Sequence, residues 1–243
     1  MEFTLKKYQK LIKTINQKGI SIFTVRKWIV EKPINGILLR HDVDRCPKNA
    51  LEMAKLESAC GVAATYYFRI TSNSFVPHII KGIHNLGHEI GYHYEDLSLA
   101  KGNFKKAEDL FKKHLVKLRQ IVPINTIAMH GRPLSRIDNK NLWEKLDWRR
   151  YNILGEAFLS IDYKNFFYFT DTGRSWSKKS LNIRDKVKSD KISYVNSTNQ
   201  LINFVNKTEN EAISIVCHPE RWNNNFFKWI IYWGFDILAN TIK

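Results

Sequence analysis

The sequence predicts an α/β protein built on a parallel sheet. Short apolar blocks of strand length alternate with segments whose apolar residues recur at helical spacing, and brief connections join them. In addition, polar residues suited to catalysis stand at the C-terminal ends of successive strand-like blocks. In a parallel barrel those ends share one face, where active sites are built.

The chain has 243 residues, 44% of them hydrophobic, with 7 Trp, 10 Tyr and 14 Phe, enough for one large core. A single domain over 1–243 is expected, since α/β barrels of this size fold as one unit. Only 6 Pro and 11 Gly argue against a disordered chain.

The elements follow in order. A helix is expected over 5–18. In GILLRHDVD (36–44) the apolar block Ile37, Leu38, Leu39 suits a buried parallel strand. A helix over 47–60, with Leu51, Ala54, Leu56 and Ala59 at helical spacing, stops at Gly61. Next come the strand AATYYFRI (63–70), a helix over 76–86, the strand HEIGYHY (88–94) and a charged helix over 104–121 that Pro123 closes. The strand TIAMHG (126–131), a helix over 139–148 and the strand-like ILGEAFLSI (153–161) and FFYFTDTG (166–173) follow. A helix near 198–206, the strand AISIVCHP (212–219) and a last helix over 224–242 complete the alternation, without repeats or linkers.

The N-terminus lacks the apolar run and cleavage site of a secretory signal, and no stretch reaches the roughly 18 apolar residues of a spanning helix. Cys46, Cys60 and Cys217 are odd in number and form no C-x-x-C pair, which argues against disulfides and a thiolate zinc site and fits a cytoplasmic location. A net charge of +16 favours anionic partners, but no aromatic-basic module supports a specific nucleic-acid partner. The densest basic stretch, 174–191, reads either as a solvated loop or as a flap over an anionic substrate. The aromatic tail from Asn223 reads either as packing against the barrel or as a peripheral membrane contact.

Asp42 and Asp44, two apart on a strand end, face the same side. Like charges so placed coexist with a cation or a shared proton between them, so metal binding is the economical reading and capping of the following helix the alternative. His41 alternates with them and should pack, hydrogen-bonded, on the other face. His88 and Glu89 read as parts of a turn, and His78, His84 and His114 as surface residues of helices. His218 follows ISIVC and precedes Pro219, so it should emerge at the sheet's end, suited to donate a proton near neutrality. Cys217 should face away from it.

HDVD, AATYYFRI and GHEIGYH resemble the polysaccharide deacetylases of carbohydrate esterase family 4, and a looser likeness runs on to His218, covering nearly all of the chain. The resemblance implies a distorted (β/α)7 barrel and a metal-dependent hydrolase, with zinc the expected cation. Its reaction would be deacetylation of an N-acetylated sugar, a polysaccharide or a glycoconjugate precursor, anionic or lipid-linked forms included. By the same resemblance Asp42 is the catalytic base, Asp44 and His93 are metal ligands, His218 is the acid, and Arg132 pairs with Asp42. Asp171, Arg174 and Trp176 in TDTGRSW resemble the motif that lines the acetyl pocket and tunes the acid, with core packing an equal reading for Trp176. Tyr94, Glu220, Arg221 and Trp222 are expected to contact substrate, with helix-start packing the competing role for the last three. The family places a second His four residues after the first, where this chain has Leu97. His130 is the favoured replacement, with Glu95 and then Asp96 as alternatives. Leu97 also leaves open a carbohydrate-binding barrel without full deacetylase activity.

Overall fold

The computed structural model describes residues 1–132, 135–176, 186–225, 227 and 229–234. Thr4 caps α1 (Leu5–Gln17) by accepting the N–H of Lys7, and the helix turns Tyr8, Leu11, Ile12 and Ile15 inward. A strand β1 (Ile22–Phe23) and a helix α2 (Val25–Glu31) come next. Periodicity does not announce them, because two residues have no period and seven make barely two turns.

The following elements stand where the sequence places them, most trimmed by a residue or two at the ends: β2 (Gly36–Val43), α3 (Pro47–Ser58), β3 (Thr65–Phe68), α4 (Pro77–Asn85) and β4 (Glu89–Tyr94). A single turn, α5 (Asp96–Leu99), precedes α6 (Phe104–Arg119) and β5 (Thr126–Met129). The helix expected over 139–148 is instead two 3-10 turns, Asn139–Glu144 and Trp148–Tyr151. Asp138 and Asp147 start them by accepting the N–H two residues on, a local bond that competes with helix propagation. Of the strand expected over 153–161 only β6 (Gly155–Glu156) is extended. The Glu156 carboxylate bends the chain by accepting the N–H groups of Phe158 and Leu159. β7 (Phe166–Thr170), α7 (Thr198–Lys207) and β8 (Ala212–Cys217) follow. Residues 229–234 are helical. Of the expected last helix, 224–225 are not helical and residues 226, 228 and 235–242 lie outside the described residues, as do residues 177–185 of the basic stretch.

Seven strands pair in the order β6-β5-β4-β3-β2-β8-β7, all parallel, and β1 joins the first half of β2. The sheet curls into a half-barrel, an α/β fold of (β/α)-barrel kind. Its convex face carries Leu39, Val43, Phe68, Tyr92, Ile127 and Ile215 into the helical layer, while Leu38, Tyr67, Ala128, Phe166 and Ala212 fill the concave side with Val25 and Trp28 of α2. Among the described residues no helix is long and apolar enough to cross a membrane.

A buried charge ties the convex layer together. Glu57 of α3 is fully buried and accepts from Tyr8 Oη, from Tyr66 Oη at 2.7 Å and from His41 Nε2 at 2.7 Å, with His88 Nδ1 at 3.5 Å. His41 therefore packs behind β2, as its alternation with Asp42 requires. Burial acts to raise the Glu57 pKa, but His41, His88 and Tyr66 outweigh it and hold the carboxyl below its usual value.

Gly91 is a tight position in the sheet. A Cβ there would lie 2.2 Å from Tyr67 Cε1 and 3.0 Å from the Thr126 carbonyl oxygen, and Tyr67 Oη is fixed to Thr126 Oγ1 at 2.9 Å. Gly91→Ala is expected to destabilise the fold by about 1–3 kcal/mol, the usual cost of overpacking a filled interior. Urea denaturation should show a lower midpoint at unchanged slope; an unaltered midpoint would mean that the Tyr67 ring has room to move.

Candidate metal centre

Parallel register decides which side chains reach the open end. Asp42 is level with Tyr67, and Tyr67 with Gly91. The next inward position on β4 is His93, level with Ala128 of β5, and His130 follows one inward position later. Asp44, just past β2, meets both imidazoles. Its Oδ1 lies 3.5 Å from His93 Nε2 and 3.4 Å from His130 Nε2, and ligand atoms of all three fall within 4.8 Å of one another.

The other nitrogen of each ring is already engaged. His93 Nδ1 stands 3.0 Å from the Ala128 carbonyl oxygen and His130 Nδ1 3.3 Å from Glu95 Oε2. Both partners only accept, so each Nδ1 carries its hydrogen, and in its neutral form each ring turns a lone pair on Nε2 towards Asp44. Asp44 Oδ1 is itself buried. With both rings neutral, three acceptors converge on one point. Tetrahedral coordination at about 2.0–2.1 Å separates ligand atoms by roughly 3.3–3.4 Å, close to the two spacings seen here, so the donor set and geometry fit a zinc-sized divalent cation.

The electrostatics follow the same plan. Burial lowers His93 to about 4 despite Asp42 and Asp44, which keeps the ring neutral. Burial also acts to lower His130, but Asp44 and Glu95 lift it to about 8, so near neutrality the ring holds on Nε2 a proton facing Asp44 that a cation bound there would displace. Asp44, against its own desolvation, is held well below the usual carboxylate range by His130, His93 and His218.

Asp42 stands beside this group, its Oδ2 3.7 Å from His93 Nε2. Its partner is Arg40, not the expected Arg132. Arg40 Nη2 donates to Asp42 Oδ2 at 2.9 Å while its guanidinium lies 4.4 Å from the Phe158 ring centre. Two residues apart on one strand, the pair shares the concave face. Arg132, beyond the end of β5, comes no nearer to a carboxylate than Glu95, at 3.8 Å, and leaves 43% of its side chain exposed. Asp42 Oδ1 is buried without a hydrogen bond.

Glu95 is not brought to the metal position. Arg69 donates to it from Nε at 2.9 Å and Nη2 at 2.6 Å, and it sits behind His130 as that ring's acceptor. Burial would raise its pKa, but His130 and Arg69 bring it to about 2. Asp96 lies in the helical layer, bonded by Tyr92 Oη and by His114, so His114 is a partly buried network member and not a surface residue. Leu97 is buried in the core.

Asp171 and His218 are joined directly. Asp171 is buried and accepts from the His218 N–H at 3.0 Å, His218 Nδ1 at 2.7 Å, Arg221 Nη1 at 2.9 Å and Trp222 Nε1 at 2.7 Å. Burial would raise its pKa, but Arg221 and His218 lower it to about 2. Burial and Arg221 lower His218, but Asp171 and Glu220 prevail and raise it to about 9. Cys217 belongs to the convex core, where burial pushes its thiol well up.

Several expected substrate contacts are structural instead. Arg221 and Trp222 support Asp171 from within, because four donors satisfy a carboxylate that would otherwise be costly to bury. Trp176 is buried against Phe3 and Trp222, with Nε1 donating to Thr198 Oγ1. Tyr94 is buried between Phe111 and Trp143, its hydroxyl 3.4 Å from Glu156. Arg174 is half-buried, 5.2 Å from the Trp229 ring centre. Glu220 is buried near Asp44 and Arg45; desolvation and the Asp44 charge raise it to about 7. Sequence reasoning missed Arg40 and Arg69. The signal for Arg40 was present: an arginine inside an apolar strand, in phase with Asp42.

Matched against models of known protein families the chain fits none, and no curated protein matches its sequence.

His218 gives a pH test. Its folded pKa of about 9 lies above the ordinary 6.5, so its contribution to stability is complete below pH 6.5 and is lost as pH climbs through 9. Calorimetric Tm measured across that window is expected to fall in the wild type, and His218→Gln to flatten the fall. Parallel profiles would rule out the Asp171–His218 ion pair.

Proposed function

We propose that the chain is a metal-dependent hydrolase of the polysaccharide deacetylase kind that removes an acyl group, N-acetyl by resemblance, from an amino sugar. The observation that carries this reading is the convergence of Asp44 Oδ1, His93 Nε2 and His130 Nε2, three candidate ligand atoms at the open end of the half-barrel. A divalent cation held by them, zinc by the nature of the donors, supplies Lewis acidity towards an acyl carbonyl and a water molecule.

The chain's own groups divide the proton work. Asp42 keeps Oδ1 for the proton of the attacking water, and Arg40 fixes its other oxygen so that the carboxylate cannot swing away. His218, its Nδ1 tied to Asp171, holds on Nε2 the proton that the departing sugar nitrogen needs. Glu95 and the Ala128 carbonyl keep His130 and His93 in the tautomer that presents Nε2.

Metal analysis of the purified protein tests the centre. The wild type is expected to carry about one zinc-sized divalent ion per chain, and Asp44→Ala and His93→Ala to lose it; unchanged metal content in both variants contradicts the assignment. For the base, Arg40→Met is expected to lower kcat for acetate release about 10²-fold with little change in KM, because positioning is lost and binding is not. A wild-type kcat in Arg40→Met would leave Asp42 without need of its partner.

A further inference from the structure

One residue beyond Asp44 the open end widens into a second cavity of about 630 Å³, walled by the β2–α3 and β3–α4 connections and by Tyr232. Its ionisable side chains include Arg45, Lys48 and His78, its neutral polar ones Asn49, Ser72 and Asn73, and among the described residues no carboxylate lines it. The guanidinium of Arg45 reaches from the Tyr232 ring, 5.8 Å away, towards Glu220, with Nε 3.9 Å from that carboxylate, so this wall adjoins the catalytic end.

Both helices that begin on this wall present their N-termini to it. α3 starts at Pro47 and α4 at Pro77, and neither preceding residue, Cys46 or Val76, makes a side-chain capping bond. By contrast α1, α2, α6 and α7 are capped by Thr4, Thr24, Asn103 and Ser197. Cys46 enters α3 in the left-handed region, φ 56°, and its thiol is 2.9 Å from Tyr232 Oη. Pro47 and Pro77 have no N–H, and those of Asn49 and Ile79 turn back to the Cys46 and Val76 carbonyls, which leaves the Lys48 and His78 N–H groups at the two helix ends. With the Arg45 guanidinium, the Lys48 ammonium and the His78 imidazole they surround one space that no carboxylate of the described residues lines. Its volume is of small-molecule size.

We infer that this cavity is an anion subsite that holds a phosphoryl or pyrophosphoryl group of the substrate beside the reacting acyl group. A tetrahedral oxyanion with several acceptors matches a guanidinium fork, an ammonium and two helix-end N–H donors better than a single carboxylate does. The substrate class is then a phosphorylated or diphosphate-linked N-acyl sugar. That statement about substrate rests on the hydrolase reading above; the binding of the anion does not.

Titration calorimetry of the EDTA-treated full chain with inorganic pyrophosphate tests the subsite. Binding is expected, weakening as salt is added. Asp44→Ala should leave it unchanged, and Arg45→Ala/Lys48→Ala should weaken it at least about tenfold. Lys48→Glu, on an exposed side chain, guards against a folding defect in the double variant and should weaken it as well. Equal pyrophosphate affinity in the wild type and both cavity variants overturns the subsite. In the metal-loaded protein, acetate release is compared for N-acetylglucosamine, its 1-phosphate and UDP-N-acetylglucosamine. A preference for either phosphorylated sugar that drops in Lys48→Glu supports the substrate class, and the favoured one shows whether a mono- or diphosphate fills the cavity. Equal kcat/KM on all three overturns it. Acetate from none, with pyrophosphate binding still governed by Arg45 and Lys48, fails the hydrolase reading and upholds the subsite.

Discussion

The arrangement of the site depends on how two imidazoles are held from behind. Were His93 and His130 free to rotate, each could turn an N–H towards Asp44 and relieve the crowding of acceptors. The Ala128 carbonyl and the Glu95 carboxylate each claim the Nδ1 hydrogen and leave Nε2 of each ring aimed at Asp44 Oδ1. A fixed tautomer on rigid strand ends turns three ordinary side chains into a preorganised cradle.

The same logic recurs with arginine as the outermost member. Arg69 holds Glu95, which holds His130; Arg221 holds Asp171, which holds His218; Arg40 holds Asp42 directly. Each guanidinium offsets the cost of keeping a carboxylate out of water. The two imidazoles backed by carboxylates are pushed up, to about 8 and about 9, whereas His93, backed by a neutral carbonyl, drops to about 4. Neighbouring histidines at one rim thus differ in proton affinity because of what stands behind them.

Much of this could be read from the sequence, for a reason specific to parallel sheets. A strand buried on both faces is apolar until it ends, so HDVD, GYHY, MHG and CHP stand out against their flanking runs. The sequence is less informative about partners. Resemblance pointed to Arg132 as the partner of Asp42, whereas the two-residue phase along β2 puts Arg40 in reach. Tyr94, Trp176, Trp222 and Arg221 read as rim residues because they carry polar tips; burial of those tips against Glu156, Thr198 and Asp171 is a three-dimensional fact. The two 3-10 turns and the shortened β6 were hidden because single carboxylates, Asp138, Asp147 and Glu156, override the apolar pattern by bonding their own backbone.

Glu57 extends these dependencies to the rear of the sheet. Its carboxylate gathers Tyr8 from α1, His41 from β2, Tyr66 from β3 and His88 from the approach to β4, all behind the strand that carries Asp42. The N-terminal helix is thereby tied to the back of β2 through a single acidic anchor. A phenylalanine in place of Tyr8 would be felt at Asp42 by way of His41, which the Tyr8 ring touches, and chain separation is a poor guide to which residues set the geometry of the rim.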